Sequence, residues 1–91
     1  MQTAHLGSLN ALEQTRLTAS GVNWIAIDAP PSAVRVAAQI RHRHKPGAGS
    51  VRALPDGRAE MIFDDAQSAI TPGQAVVFYD ADVVIGGGVI E

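Results

Sequence analysis

The sequence predicts an all-β protein, a small closed antiparallel β-barrel of six or seven strands. Three observations support this prediction: apolar and polar residues alternate with a period of two, turn residues separate the alternating segments at short intervals, and no segment has the length and period of a long helix. The 91 residues suffice for one domain. We predict that residues 13–91 form the barrel and that residues 1–12 are a poorly ordered lead-in.

The clearest predicted strand lies at residues 33–41. There Val34, Val36 and Ala38 alternate with Arg35 and other residues of the opposite side, as in a strand with one buried face. The apolar, β-branched run at residues 75–79 predicts a strand with little solvent on either face. The other strands are predicted at residues 17–19, 23–27, 50–54, 58–64 and 83–90.

Turn residues separate these strands. A hairpin is predicted at Pro55-Asp56-Gly57, because proline fixes φ early and glycine accepts a positive φ at the end. A second turn is predicted at Thr71–Gln74, and a tight connection at Asp80–Asp82. The glycine triplet at residues 86–88 precedes no helix, so it does not predict a phosphate loop. Within a strand it indicates a bulge or the close approach of another backbone.

The charges are unevenly distributed along the chain. The formal net charge is −2, but no acidic residue lies between Ala29 and Pro55. From Asp56 to Glu91, seven acidic residues accompany one basic residue, a balance of −6. This segregation predicts a face that contacts a polyanion; alternatively, the charges belong to solvated strand faces and hairpin tips. The acid-free stretch contains five of the seven basic residues, namely Arg35, Arg41, Arg43, Lys45 and Arg52.

No set of residues predicts catalysis or a metal site. The chain has no cysteine, and none of its serines lies in a nucleophile-elbow pattern. Asp64 and Asp65 are adjacent, so on a strand they would point to opposite faces and could not act together as acid and base. His42 and His44 would share a face, but a zinc site needs three or four protein ligands and no third is apparent.

The compartment is indicated by three features of the sequence, of which the absence of cysteine is the first. No apolar run approaches the roughly 18–20 residues that span a bilayer, and the amino terminus has no signal-peptide pattern. These features predict a cytoplasmic protein, or part of one, that does not bind membranes.

Three segments together resemble the last domain of bacterial tRNA-specific 2-thiouridylases. They are residues 17–25 (LTASGVNWI), residues 39–46 (QIRHRHKP), and residues 69–79 (AITPGQAVVFY) with residues 86–90 (GGGVI). They occur in order at compatible spacing and cover nearly the whole chain. Two positions depart from the family pattern: His42 stands where a tyrosine is often found, and Ala81 where the last hairpin often has glycine. A base-stacking role at the first position and the turn type at the second therefore stay open.

The resemblance implies a fold and a context. In this family the last domain is a β-barrel like the second domain of elongation factor Tu, and it follows an ATP-pyrophosphatase domain and a small central domain. The family adenylates the wobble uridine of certain tRNAs and then transfers persulfide sulfur with two cysteines. The cysteines and the ATP loop belong to the amino-terminal domain and do not occur in this chain. ATP, a persulfide donor and a sulfur-carrier protein are therefore implied for the parent enzyme, and no catalytic residue is carried over.

We therefore expect an accessory barrel that serves ATP-dependent sulfur transfer to tRNA without catalysing it. Phosphate contacts, which position RNA without reading its sequence, are predicted for Arg41, Arg43 and Lys45, with Arg35 and Arg52 nearby. Two alternatives stay open. The barrel could be a structural module that packs against its neighbouring domains, or a free-standing barrel, like that of a translation factor, that binds a protein or a nucleotide.

Overall fold

The computed structural model describes residues 13–40, 45–68 and 70–91. The described strands are β1 (Glu13–Trp24), β2 (Val34–Gln39), β3 (Gly47–Leu54), β4 (Arg58–Ser68), β5 (Ala75–Asp80) and β6 (Val83–Ile90). They pair in the order β1-β4-β3-β2-β5-β6, and β6 pairs with β1 to close the barrel. Every pairing is antiparallel. The predicted barrel is confirmed, with six strands in the described part of the chain; the predicted lead-in at residues 1–12 lies outside it.

The core consists of the inward-facing apolar residues of the six strands. Phe78, Met61 and Val51 are fully buried at its centre, and the Trp24 ring stacks on Phe78 with centroids 6.0 Å apart. No polar or charged side chain of the described residues is buried. The alternation predicted for β2 and β4 is confirmed, because the residues assigned to one side of each strand are those that enter the core.

The first strand differs from the prediction. Two short strands around Ser20-Gly21 were expected, but β1 is a single strand of 12 residues. Gly21 has a φ of 57°, and the register between β1 and β6 shifts between Ser20 and Asn23. The glycine therefore forms a bulge that bends the strand instead of reversing it. Because of this bend, the first part of β1 pairs with β4 and the last part with β6.

The two predicted turns of the later hairpins use the left-handed region of φ. The hairpin at residues 55–57 is confirmed, with Gly57 at a φ of 73° and Asp56 also positive at 64°. Ala81, whose turn type the sequence left open, has a φ of 54°. Residues with a Cβ are strained there by about 1–2 kcal/mol, which gives a physical reason for glycine at such a position.

The glycine triplet of β6 has both of the features that it indicated, an irregularity in the strand pairing and the close approach of another backbone. The strand lies between β1 and β5, whose carbonyl groups approach it closely. An added Cβ would lie 2.8 Å from the Asn23 oxygen at Gly86, and 2.7 Å from the Val76 oxygen at Gly87. The register shifts beside the triplet, in both of its pairings, are the predicted irregularity. In the described part of the chain, no helix is long and apolar enough to cross a membrane.

Candidate nucleic-acid interface

The five predicted phosphate-binding residues belong to β2, β3 and the segment between them. Arg35 of β2 and Arg52 of β3 are exposed on the outer surface of the barrel. Lys45 is exposed just before β3. Arg41 and Arg43, with their neighbours His42 and His44, lie outside the described residues. The structure therefore places three of the five residues on or beside one hairpin.

Arg35 binds a residue of β4, which is separated from β2 by β3 in the sheet. Its Nη1 donates to Asp64 Oδ1 at 2.9 Å and its Nη2 to Asp64 Oδ2, so the guanidinium and the carboxylate meet as two forks. Nη1 also donates to Ser50 Oγ of the intervening β3 at 3.3 Å. The hydrogen bonds and charge of Arg35 lower the pKa of the Asp64 carboxyl below its usual value, and those of Asp64 raise the pKa of the Arg35 guanidinium. The side chain is thus extended flat over the sheet.

Arg52 belongs to a second group of ions on the same surface. Its Nε donates to Glu60 Oε1 at 2.8 Å, and Arg16 Nε lies 2.9 Å from Glu60 Oε2. The Glu60 side chain is only 12% exposed, whereas both arginines are largely exposed. One carboxylate on β4 therefore orders two guanidinium groups, one on each neighbouring strand. Sequence reasoning missed Arg16, because it lies outside the acid-free stretch.

Charges that are separated along the sequence are mixed in space. Strand β4 carries Glu60 and Asp64 to positions beside the arginines of β3 and β2. Three cations and two anions leave this surface with a balance of +1, and an exposed pair such as Arg35 with Asp64 is weak and screened by salt. We call this surface of β1, β4, β3 and β2 the charged face; it comprises Arg16, Arg35, Arg52, Glu60 and Asp64.

A fourth arginine lies at the other end of β3 from Lys45. Arg58 begins β4, opposite Leu54 at the end of β3. Its Nε and Nη2 each donate to a Glu91 carboxylate oxygen at 2.7 Å. This pair lowers the pKa of the Glu91 carboxyl and ties the residue after β6 to β4, so Arg58 has a structural role in barrel closure. No group of three or more metal-ligating residues is found where the structure describes the chain.

Comparison with known proteins assigns the chain to a family. Residues 14–90 match the family model of the aminomethyltransferase beta-barrel domain. The chain is 48% identical over 87 residues to the tRNA-specific 2-thiouridylase MnmA of Chlorobium chlorochromatii, covering 96% of this chain and 24% of that protein. The protein of the same name from Trichormus variabilis is 44% identical over 86 residues, covering 94% and 24%. That from Acetivibrio thermocellus is 44% identical over 89 residues, covering 98% and 25%.

The chain spans about a quarter of the length of these curated relatives. The matched residues include all three segments on which the resemblance was based. The chain therefore belongs to the aminomethyltransferase beta-barrel domain family, and its resemblance to the last domain of tRNA-specific 2-thiouridylases is confirmed.

Proposed function

We propose that this barrel is an accessory domain of a tRNA-specific 2-thiouridylase, and that it contributes tRNA contact rather than catalysis. The observation that carries the proposal is the similarity, over nearly the whole chain, to proteins named for that activity. Their other three quarters would hold the groups that bind ATP, accept sulfur from a carrier protein and transfer it to uridine. An enzyme of this kind acts on tRNA in the cytoplasm.

The β2–β3 hairpin supports the RNA contact. Residues 34–54, from the start of β2 to the end of β3, contain five basic residues and no acidic one. Arg35, Lys45 and Arg52 are exposed, and Arg41 and Arg43 lie between the two strands in sequence. A guanidinium has five donors and suits bidentate contact with phosphate. Because Asp64, the partner of Arg35, is an exposed carboxylate, exchange of this carboxylate for phosphate oxygens costs little.

Replacing Arg41 and Arg43 by alanine is expected to weaken tRNA binding and its dependence on salt. Each neutralised phosphate contributes about −0.9 to the slope of log K against log salt, because condensed counterions are released. About four contacts give a slope of roughly −3 to −4, and the double variant flattens it by about one to two units. The measurement is a salt titration of tRNA binding, on the intact enzyme where the barrel alone binds too weakly.

The control is the double variant Asp80→Ala with Asp82→Ala, which changes two charged residues outside the acid-free stretch. It is expected to change the slope by less than half a unit, since no contact with phosphate is assigned to either residue. An unchanged slope and affinity in the variant of Arg41 and Arg43 would exclude the RNA contact and leave a barrel that only packs against its neighbours. Circular dichroism of each variant shows whether the fold is intact.

A further inference from the structure

The strands β5 and β6 contain no charged residue from Ala75 to Tyr79 or from Val83 to Ile90. Residues of β5 that point away from Phe78 pair with residues of β6 on the same side, as Val77 does with Gly87 and Tyr79 with Val84. We call this surface of β5 and β6 the uncharged face; it comprises Val77, Tyr79, Val84 and Val89.

The uncharged face presents mainly carbon atoms to its surroundings. Val89 and Val84 are 46% and 37% exposed. The Tyr79 hydroxyl donates to Gln39 Oε1 of β2 at 3.2 Å, so the polar end of this tyrosine is bound to the barrel itself. Ile25, which is 65% exposed, lies beside it, since its backbone nitrogen donates to the Ile85 oxygen at 2.8 Å. Single exposed apolar residues are ordinary, but a contiguous apolar patch marks an interaction surface.

We propose that the uncharged face packs against another domain of the same polypeptide. This inference rests on the proposed function, under which the barrel is one domain of a longer enzyme. The relatives are about four times as long as this chain, so a barrel within such a protein has neighbouring domains to contact. The face offers no cation to a phosphate group, which makes RNA an unsuitable occupant.

The uncharged face also lies on different strands from the charged face. It belongs to β5 and β6, whereas the ions of the charged face belong to β1, β4, β3 and β2. The charged face, on the other strands of the barrel, stays open to tRNA in this arrangement.

The test is the double variant Val84→Lys with Val89→Lys in the full-length enzyme. Placing two charges in an apolar contact is expected to detach the barrel, because buried unpaired charges are costly. Cleavage between the barrel and the rest of the enzyme by a limiting amount of protease should accelerate at least tenfold. The matched control is Ile62→Lys, which changes a residue of similar exposure (42%) on β4, among the ions of the charged face; its cleavage rate should stay within twofold of the wild type.

Each outcome decides the proposal. Equal cleavage rates in the double variant and the wild type would overturn it. A dimeric enzyme that the double variant converts to monomers, with its cleavage rate unchanged, would show that a second copy covers the face and would likewise overturn it. Val84→Ser with Val89→Ser, expected to accelerate cleavage severalfold, replaces the lysine pair if that variant does not fold. The salt titration of tRNA binding tests the proposed function separately, since it depends on residues of the β2–β3 hairpin.

Discussion

Gly49→Ala is expected to lower the free energy of unfolding by about 3 kcal/mol or more, the upper part of the range for overpacked cores. Gly49 is buried in β3, opposite Phe63 of β4. An added Cβ would overlap the carbonyl oxygen of Ile62 and lie 2.7 Å from Met61 Cε and 2.8 Å from Phe63 Cα. Two of these neighbours are backbone atoms, so the strands themselves must separate.

Thermal unfolding of the isolated chain measures this effect. For a domain of this size, 3 kcal/mol corresponds to a fall in Tm of roughly 12–24 °C. The control is Ala48→Val on the same strand, whose outward-facing side chain is exposed and should change stability by less than about 0.5 kcal/mol. A Gly49→Ala variant that melts within a few degrees of the wild type would show that β3 and β4 do not approach as closely as described.

Phe78→Ala is expected to lower the free energy of unfolding by about 3–5 kcal/mol. Phe78 is fully buried and stacks on Trp24, so its removal opens a cavity and also leaves the indole ring unsupported. Its neighbour Val77 points to the outer surface and is half-buried. Val77→Ala should therefore lower the free energy of unfolding by only about 1 kcal/mol, because valine is smaller than phenylalanine and is only partly buried here.

Denaturant unfolding of the two variants compares the faces of β5 directly. The sequence alone did not distinguish them, because residues 75–79 are apolar throughout. A Val77→Ala variant as unstable as Phe78→Ala would mean that both faces of β5 are buried in the isolated chain. That result would contradict the structure, in which Phe78 is buried and Val77 is only half-buried.

Much of the fold follows from local sequence, because alternation and turns act over a few residues. The turn at residues 55–57 pairs Leu54 with Arg58, and the same register then pairs Arg52 with Glu60 and Gly49 with Phe63. These pairings could therefore be predicted from the sequence. The single bent strand β1 was not, because Ser20-Gly21 suits a turn and a bulge equally well and only the pairing partners of β1 distinguish them.

The candidate site was less predictable than the fold. The acid-free stretch coincides with a hairpin on which Arg35, Lys45 and Arg52 are exposed, but it did not indicate the acidic residues beside that hairpin. The pair of Arg35 with Asp64 joins strands separated by β3, so it depends on two registers at once. The register of β2 against β3 depends on a connection that is longer, from residue 40 to residue 46, than the two-residue loops whose turn type fixes a register.

The most direct test of a barrel with one half for tRNA and one for protein is a map of the residues that respond to tRNA. The chain, labelled with ¹⁵N, is titrated with tRNA at low salt, and the changes in amide chemical shift are followed by NMR. The expected changes are concentrated in residues 34–54 of the β2–β3 hairpin, with β6 (Val83–Ile90) unaffected. Changes centred on β5 and β6, with the hairpin unaffected, would contradict the assignment of the two halves.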